Sequence, residues 1–260
     1  MADRPGLDPV DPEATPSAAA ASTLSRLRRR LPVASDTVKY ARMSSVMAFI
    51  FAALFVAGLA LVHSAPKLAD TDATFAAFYA SGSTALVTVG LYIVPFAGIA
   101  FLWHMNATRL LIRTLTPAPS AVPDGLQLVA GILFIALLFA GTGAAGGVAL
   151  VKDLTDAPLP SMDVARSLLG VGYGLVFVYA VRGAGMYAIT TTTLLRKAGV
   201  LPLWLAVIGR LLATFLLIST TLNPVVMLLF PAWAVLVGVV VFVRAGRLGG
   251  PVQPETRPDA

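Results

Sequence analysis

Between residues 44 and 62, 84 and 103, 126 and 151, and 223 and 243, the chain carries no charged side chain. Two further stretches, 164–193 and 201–220, hold three arginines between them and no other charge. Each run approaches or exceeds the roughly 20 residues that, at about 1.5 Å per residue, cross a hydrocarbon core about 30 Å thick. Lipid offers the backbone no hydrogen-bond partners, so a run of this kind satisfies its own amides and carbonyls by coiling into a helix. The pattern predicts an all-α membrane protein of six transmembrane helices joined by short loops. Charged residues make up only 12% of the chain, against about 25% in a soluble domain, which leaves too few to cover a water-facing surface. The run at 164–193 is longer than a crossing needs and has to tilt or project its threonine-rich end beyond the lipid tails.

Basic residues set the expected orientation. Fourteen of the 19 lysines and arginines fall in the N-terminal segment, after the second run, after the fourth, and beyond the sixth, whereas the opposite loops hold only Lys67 and Lys152. An excess of this kind marks the cytoplasmic side, so both termini are expected there. In a soluble protein the net charge of +6 would suggest nucleic acid; here its distribution assigns it to topology, and no nucleic-acid partner is expected. The first apolar run is too long, and too far from the N-terminus, for a cleaved signal peptide. Residues 1–35, rich in Pro, Ala and Asp, read as a disordered cytoplasmic tail whose basic cluster "SRLRRRL" (25–31) lies beside the membrane. Residues 36–245 form the six-helix domain and 246–260 a second disordered cytoplasmic tail. The cluster either grips anionic lipid head groups or only fixes topology.

"GTGAAG" at 141–146 has the spacing of a dinucleotide-binding loop, but that motif works only at a strand-to-helix turn. Here it continues an apolar run with no turn residue before it. Small residues four apart let helices approach closely in lipid. Gly143 with Gly147, and Gly170 with Gly174, are therefore expected to be packing faces, either between the third and fourth helices or toward a second copy or a partner membrane subunit.

Arg182 and Arg210 are the expensive residues: an arginine at a helix centre costs about 2.5–3.5 kcal/mol on insertion scales and usually faces a bundle interior or a cavity. Counted from the turn between the fourth and fifth helices, they lie within about 10 Å of one depth. No carboxylate occurs in these spans, so the available partners are hydroxyls such as those of Tyr179 and Tyr187, freed carbonyls, water, or an anion from outside. One reading makes Arg182, Arg210, Tyr179 and Tyr187 a pocket for an anionic lipid or other amphiphile; the other has each arginine reaching to lipid phosphate and fixing helix depth. Arg166, three residues after Asp163, is expected to form an interfacial ion pair.

Nothing in the sequence points to an enzyme. His63 and His104 are expected at opposite faces of the membrane and so share no metal or haem. No nucleophile elbow and no pair of intramembrane carboxylates occurs. Asp70, Asp72, Asp153, Asp156 and Asp163 match no calcium loop. Neither a catalytic residue, a metal nor a cofactor is expected.

"YIVPFAGIAFLWHMNATRLLIRTL", "GILFIALLFAGTGAAGG", "VYAVRGAGMYAITTTTLLRKAGVLPLWLAVIGRLL" and "LLFPAWAVLVG" together resemble a group of uncharacterised actinobacterial integral membrane proteins over about residues 40–245. The resemblance implies a six-helix fold in a bacterial plasma membrane and a position equivalent to Arg182; it implies no activity. The expected function is thus binding or moving of an anionic amphiphile, with a structural or accessory membrane subunit, docking a partner helix through its glycine faces, as the alternative.

Overall fold

The computed structural model describes residues 18–62, 64–116, 119–219 and 221–248, the stretches 18–35 and 245–248 by backbone alone. Residues 1–17, the side chains of the basic cluster, His63 and the tail from 249 lie outside what is described. The helices are α1 (Ala18–Val62), α2 (Asp72–Ala80), α3 (Thr84–Leu115), α4 (Ala121–Leu154), α5 (Met162–Tyr173), a π-helical segment (Gly174–Ala180), α6 (Val181–Lys197), α7 (Leu203–Ile218) and α8 (Pro224–Leu248). The described residues contain no strand. α5, the π-helical segment and α6 form one continuous rod of 36 residues, Met162–Lys197.

Among the described residues, five helices are long and apolar enough to cross a membrane: Asp36–Val62 within α1, then α3, α4, the α5–α6 rod, and Pro224–Arg244 within α8. The fifth of the six expected spans is shorter than its apolar run. α7 has 16 residues, about 24 Å at 1.5 Å per residue, which falls short of a 30 Å core. Its end is written in "STTLNP" (219–224): the proline forces the preceding residue out of the helical region, and Ser and Thr compete for the backbone's hydrogen bonds. At the other end of the chain, α1 begins at Ala18, so backbone expected to lack structure as far as residue 35 is helical. The alanine run at 18–21, made of the best helix former, starts that helix.

α2 lies where only a short loop was expected. Thr71 caps it by accepting from the Thr74 amide at 3.3 Å, and Asp72 sits favourably in its first turn. Phe75 and Tyr79, one turn apart, bury against Val148, Ala165 and Leu169, and burial pushes the Tyr79 phenol pKa up. α2 also supplies the partner of Arg166. That guanidinium bonds Asp72 at 2.7 Å, not Asp163, and lies 5.0 Å over the Phe75 ring.

α1 packs between α3 and α8, α4 between α3 and the α5–α6 rod, and α7 along α6. At the centre, Phe101 meets Phe134 at 5.2 Å and Tyr187 at 5.0 Å between ring centroids, and Phe134 meets Phe230 at 4.9 Å. These edge-to-face contacts tie α3, α4, α6 and α8 together. Trp103 and Trp204, by contrast, are exposed on the perimeter, as residues of an interfacial belt would be.

The glycine faces lie on the expected helices but in a different register. A β-carbon added to Gly143, Gly147 or Gly174 would meet nothing within 4 Å, and one on Gly170 only the tip of Leu68. The close approach belongs to Gly141 and Gly172. A β-carbon on Gly141 would stand 3.0 Å from the Gly172 carbonyl, and one on Gly172 2.6 Å from Ala145 Cβ. Which side of a helix faces its neighbour depends on rotation about its axis, and small-residue spacing alone leaves two sides of this glycine-rich stretch equivalent.

Candidate ligand-binding site

The π-helical segment is the starting point. Its wider winding leaves a carbonyl of the turn without a helical amide partner, and such irregular turns gather at functional sites. Arg182, just beyond it, is half-buried and reaches back one turn to donate to the Val178 carbonyl. The described ion pairs are those of Arg109 and Arg113 with Asp124, and Arg166 with Asp72; Arg182 takes part in none of them. A helix carbonyl, that of Val178, is thus its partner.

The other three members of the expected pocket point elsewhere. Tyr187 is fully buried in the aromatic core, Tyr179 is 58% exposed, and Arg210 is exposed on the outer face of α7. The register of α7 on α6 also separates the arginines. Gly185 opposes the Ala213 carbonyl at 3.0 Å, and Gly209 opposes Thr192 Oγ1 at 2.7 Å, measured from an added β-carbon. Arg210 therefore stands level with about residue 191, roughly nine residues or 14 Å along the helix from Arg182. Counting inward from the connecting turn underestimates this separation, because it takes each helix to start at that turn.

Beside the π-helical segment lies an apolar cavity of about 80 Å³, lined by Phe55, Val94, Leu138, Val176, Phe177 and Met227 among others. Its walls thus come from α1, α3, α4, the π-helical segment and α8, and it is partly open. A second, smaller space of about 10 Å³ shares Phe55 and Met227 and reaches Val181, the neighbour of Arg182. An apolar hollow of this kind suits hydrocarbon better than water. Its Thr142 hydroxyl is already spent on the Leu138 carbonyl at 2.7 Å. Neither space is lined by Arg182 or Arg210 themselves.

The structure adds a polar cluster that the sequence did not bring together. His104, expected at a membrane face, is fully buried, its Nδ1 2.9 Å from the Ser44 carbonyl. Gln127, also fully buried, donates to Thr191 at 2.8 Å. A glutamine inside a long apolar run was the available signal. Among the described residues no group of three or more His, Cys, Asp or Glu side chains could hold a metal ion.

These features define an α-helical, membrane-embedded protein whose distinctive places are an irregular helix beside an apolar cavity and a polar cluster within its core. No protein-family model, curated protein or solved structure matches the chain.

Proposed function

We propose that the chain is a six-span protein of a bacterial plasma membrane, both termini cytoplasmic, that binds, or carries between leaflets, an anionic lipid or other amphiphile. The apolar chain of the ligand occupies the cavity beside the π-helical segment, and Arg182 attracts its anionic group; Arg210 and Tyr179, on the perimeter, meet surrounding lipid. The observation that carries this reading is the juxtaposition, along one rod, of an apolar cavity at Val176 and Phe177 with a half-buried arginine at 182 that has a carbonyl as its partner.

Six crossings are supported by how α8 sits. Near its C-terminal end Arg244 donates to the Val200 carbonyl at 2.7 Å, beside the turn between α6 and α7. Its first residue, Pro224, lines the cavity with Val62 and Tyr173 at the other end of the bundle. The chain from 203 to 223 has to cover that distance. Sixteen helical residues and five connecting ones span up to about 40 Å, so α7 together with 219–223 completes the fifth crossing.

Native mass spectrometry of the protein in lipid nanodiscs tests the ligand. Wild type is expected to retain an anionic amphiphile that Arg182→Gln and the cavity-filling Val94→Trp both lose; equal retention by all three overturns the reading. A second reading, an accessory subunit that docks a partner helix, is favoured by Gly143 and Gly147, whose faces are open.

A further inference from the structure

Five buried polar atoms from four helices end without a hydrogen-bond partner: His104 Nε2, Gln127 Oε1, the Tyr187 hydroxyl, Thr192 Oγ1 and Trp233 Nε1. Their residues are at most 2% exposed. They belong to one cluster. The His104 and Tyr187 rings are 6.4 Å apart and those of Tyr187 and Trp233 6.2 Å. The Tyr187 hydroxyl has the Thr108 and Thr191 hydroxyls as its nearest polar neighbours, beyond ordinary hydrogen-bond geometry, and Thr191 holds Gln127. Thr192 Oγ1 and Trp233 Nε1 both point at Gly209, where an added β-carbon would be 2.7 and 3.0 Å from them.

Their donor and acceptor roles are fixed by neighbours. Thr108 donates to the His104 carbonyl at 2.8 Å, so the Ser44 hydroxyl, 2.7 Å from Thr108 Oγ1, is the donor of that pair. The Ser44 carbonyl can only accept, so His104 Nδ1, 2.9 Å away, carries the hydrogen. Nε2 of the neutral ring is then a bare acceptor. Gln127 spends its amide NH₂ on Thr191 and keeps a bare carbonyl oxygen. Two acceptors thus face three donors, the Tyr187 and Thr192 hydroxyls and the Trp233 N–H. The charges nearest in sequence, Arg109 and Asp124, bond each other at 2.8 Å, and of the two Arg109 acts electrostatically on Tyr187.

A dry interior does not hold five such groups unpaired, since each forfeits its hydration on burial. We propose that they line an internal hydration site whose ligand is water, a small neutral molecule, of which more than one copy is needed to donate to His104 Nε2 and Gln127 Oε1 and to accept from Tyr187, Thr192 and Trp233. Buried waters typically make about three bonds to groups of this kind. Gly209, lacking a side chain, lets Thr192 Oγ1 and Trp233 Nε1 converge close against the α7 backbone.

Synchrotron hydroxyl-radical footprinting of the wild-type protein in nanodiscs tests this, because radicals form at bound water. Tyr187 and Trp233 are expected to be oxidised well above the equally buried Phe51 and Phe134, each rate corrected for intrinsic reactivity; labelling no higher than those phenylalanines overturns the proposal. Thr192→Val gives an independent sign. With water present it removes bonds and lowers the melting temperature by about 2–4 °C. If the site is dry, deleting an unpaired hydroxyl leaves the temperature unchanged or raises it, and the proposal fails.

Discussion

The Gly141 carbonyl oxygen stands 2.5 Å from the point a β-carbon on Gly172 would occupy, so α4 and α5 meet backbone to backbone. Contact this close gives the pair dispersion and weak Cα–H···O interactions that a larger residue would prevent. Gly172→Ala and Gly141→Ala are therefore expected to lose about 1–3 kcal/mol through overpacking. Gly143→Ala and Gly147→Ala, with open space around them, are expected to stay within about 0.5 kcal/mol of wild type. Thermal unfolding in one detergent, compared across the four variants, checks the contrast. The same spaces separate the two functional readings: Gly143→Leu leaves the isolated fold intact but breaks a partner interface if one uses that face.

What the sequence made legible, and what it did not, follows from the range of each interaction. Charge-free or nearly charge-free apolar runs announce helices because lipid imposes that on every residue in them, and five long helices appear where such runs lie. "STTLNP" stops α7 early through local chemistry that was readable but outweighed by hydropathy in the count. Arg182 stood out by its cost alone. The cluster of Ser44 with His104, 60 residues apart in sequence, depends on how α1 rotates against α3, and no spacing within either helix encodes that. The π-helical segment has no composition of its own; "GLVFVYA" (174–180) would serve equally as α-helix.

The two arginines should respond in opposite directions. Arg210 is exposed on α7 and appears in none of the described ion pairs, so Arg210→Leu removes an insertion penalty of about 2.5–3.5 kcal/mol at most, less whatever the side chain recovers by reaching to the interface. Stability is expected to rise, with lipid adducts unchanged. Arg182→Leu removes the side chain that donates to the Val178 carbonyl and is expected to abolish the anionic adduct. Melting curves and native mass spectra of both variants read the two effects separately; loss of adduct from Arg210→Leu alone would reverse the assignment.

Near the C-terminal end of α3, Arg109 and Arg113 donate to Asp124 of α4 at 2.8 Å and 2.9 Å. The first pair is 13% exposed on both sides, whereas Arg113 is 52% exposed. Asp124→Asn strands the half-buried Arg109 and is expected to cost about 1–3 kcal/mol, the range for a hydrogen-bonded charge left without its partner. Arg113→Ala is expected to cost under about 1 kcal/mol, as for exposed pairs. Unfolding at low and high salt distinguishes them, because only the exposed pair is screened.

The chain contains no cysteine, so any introduced thiol is the only one, and its side of the membrane can be read in intact cells. Ser120→Cys and Ala198→Cys report the turns before α4 and after α6; Asp156→Cys and Thr221→Cys report those after α4 and after α7. With six crossings and cytoplasmic termini, an impermeant maleimide labels Asp156→Cys and Thr221→Cys from outside and reaches the other two only after lysis. If α7 enters the membrane and returns, Thr221→Cys behaves like Ala198→Cys, and α8 must then end outside. That outcome conflicts with the Arg244 bond to the Val200 carbonyl, which holds the end of α8 beside the turn that Ala198 reports. The behaviour of Thr221→Cys relative to Ala198→Cys therefore decides between five and six crossings, and the labelling of Asp156→Cys before lysis decides the orientation.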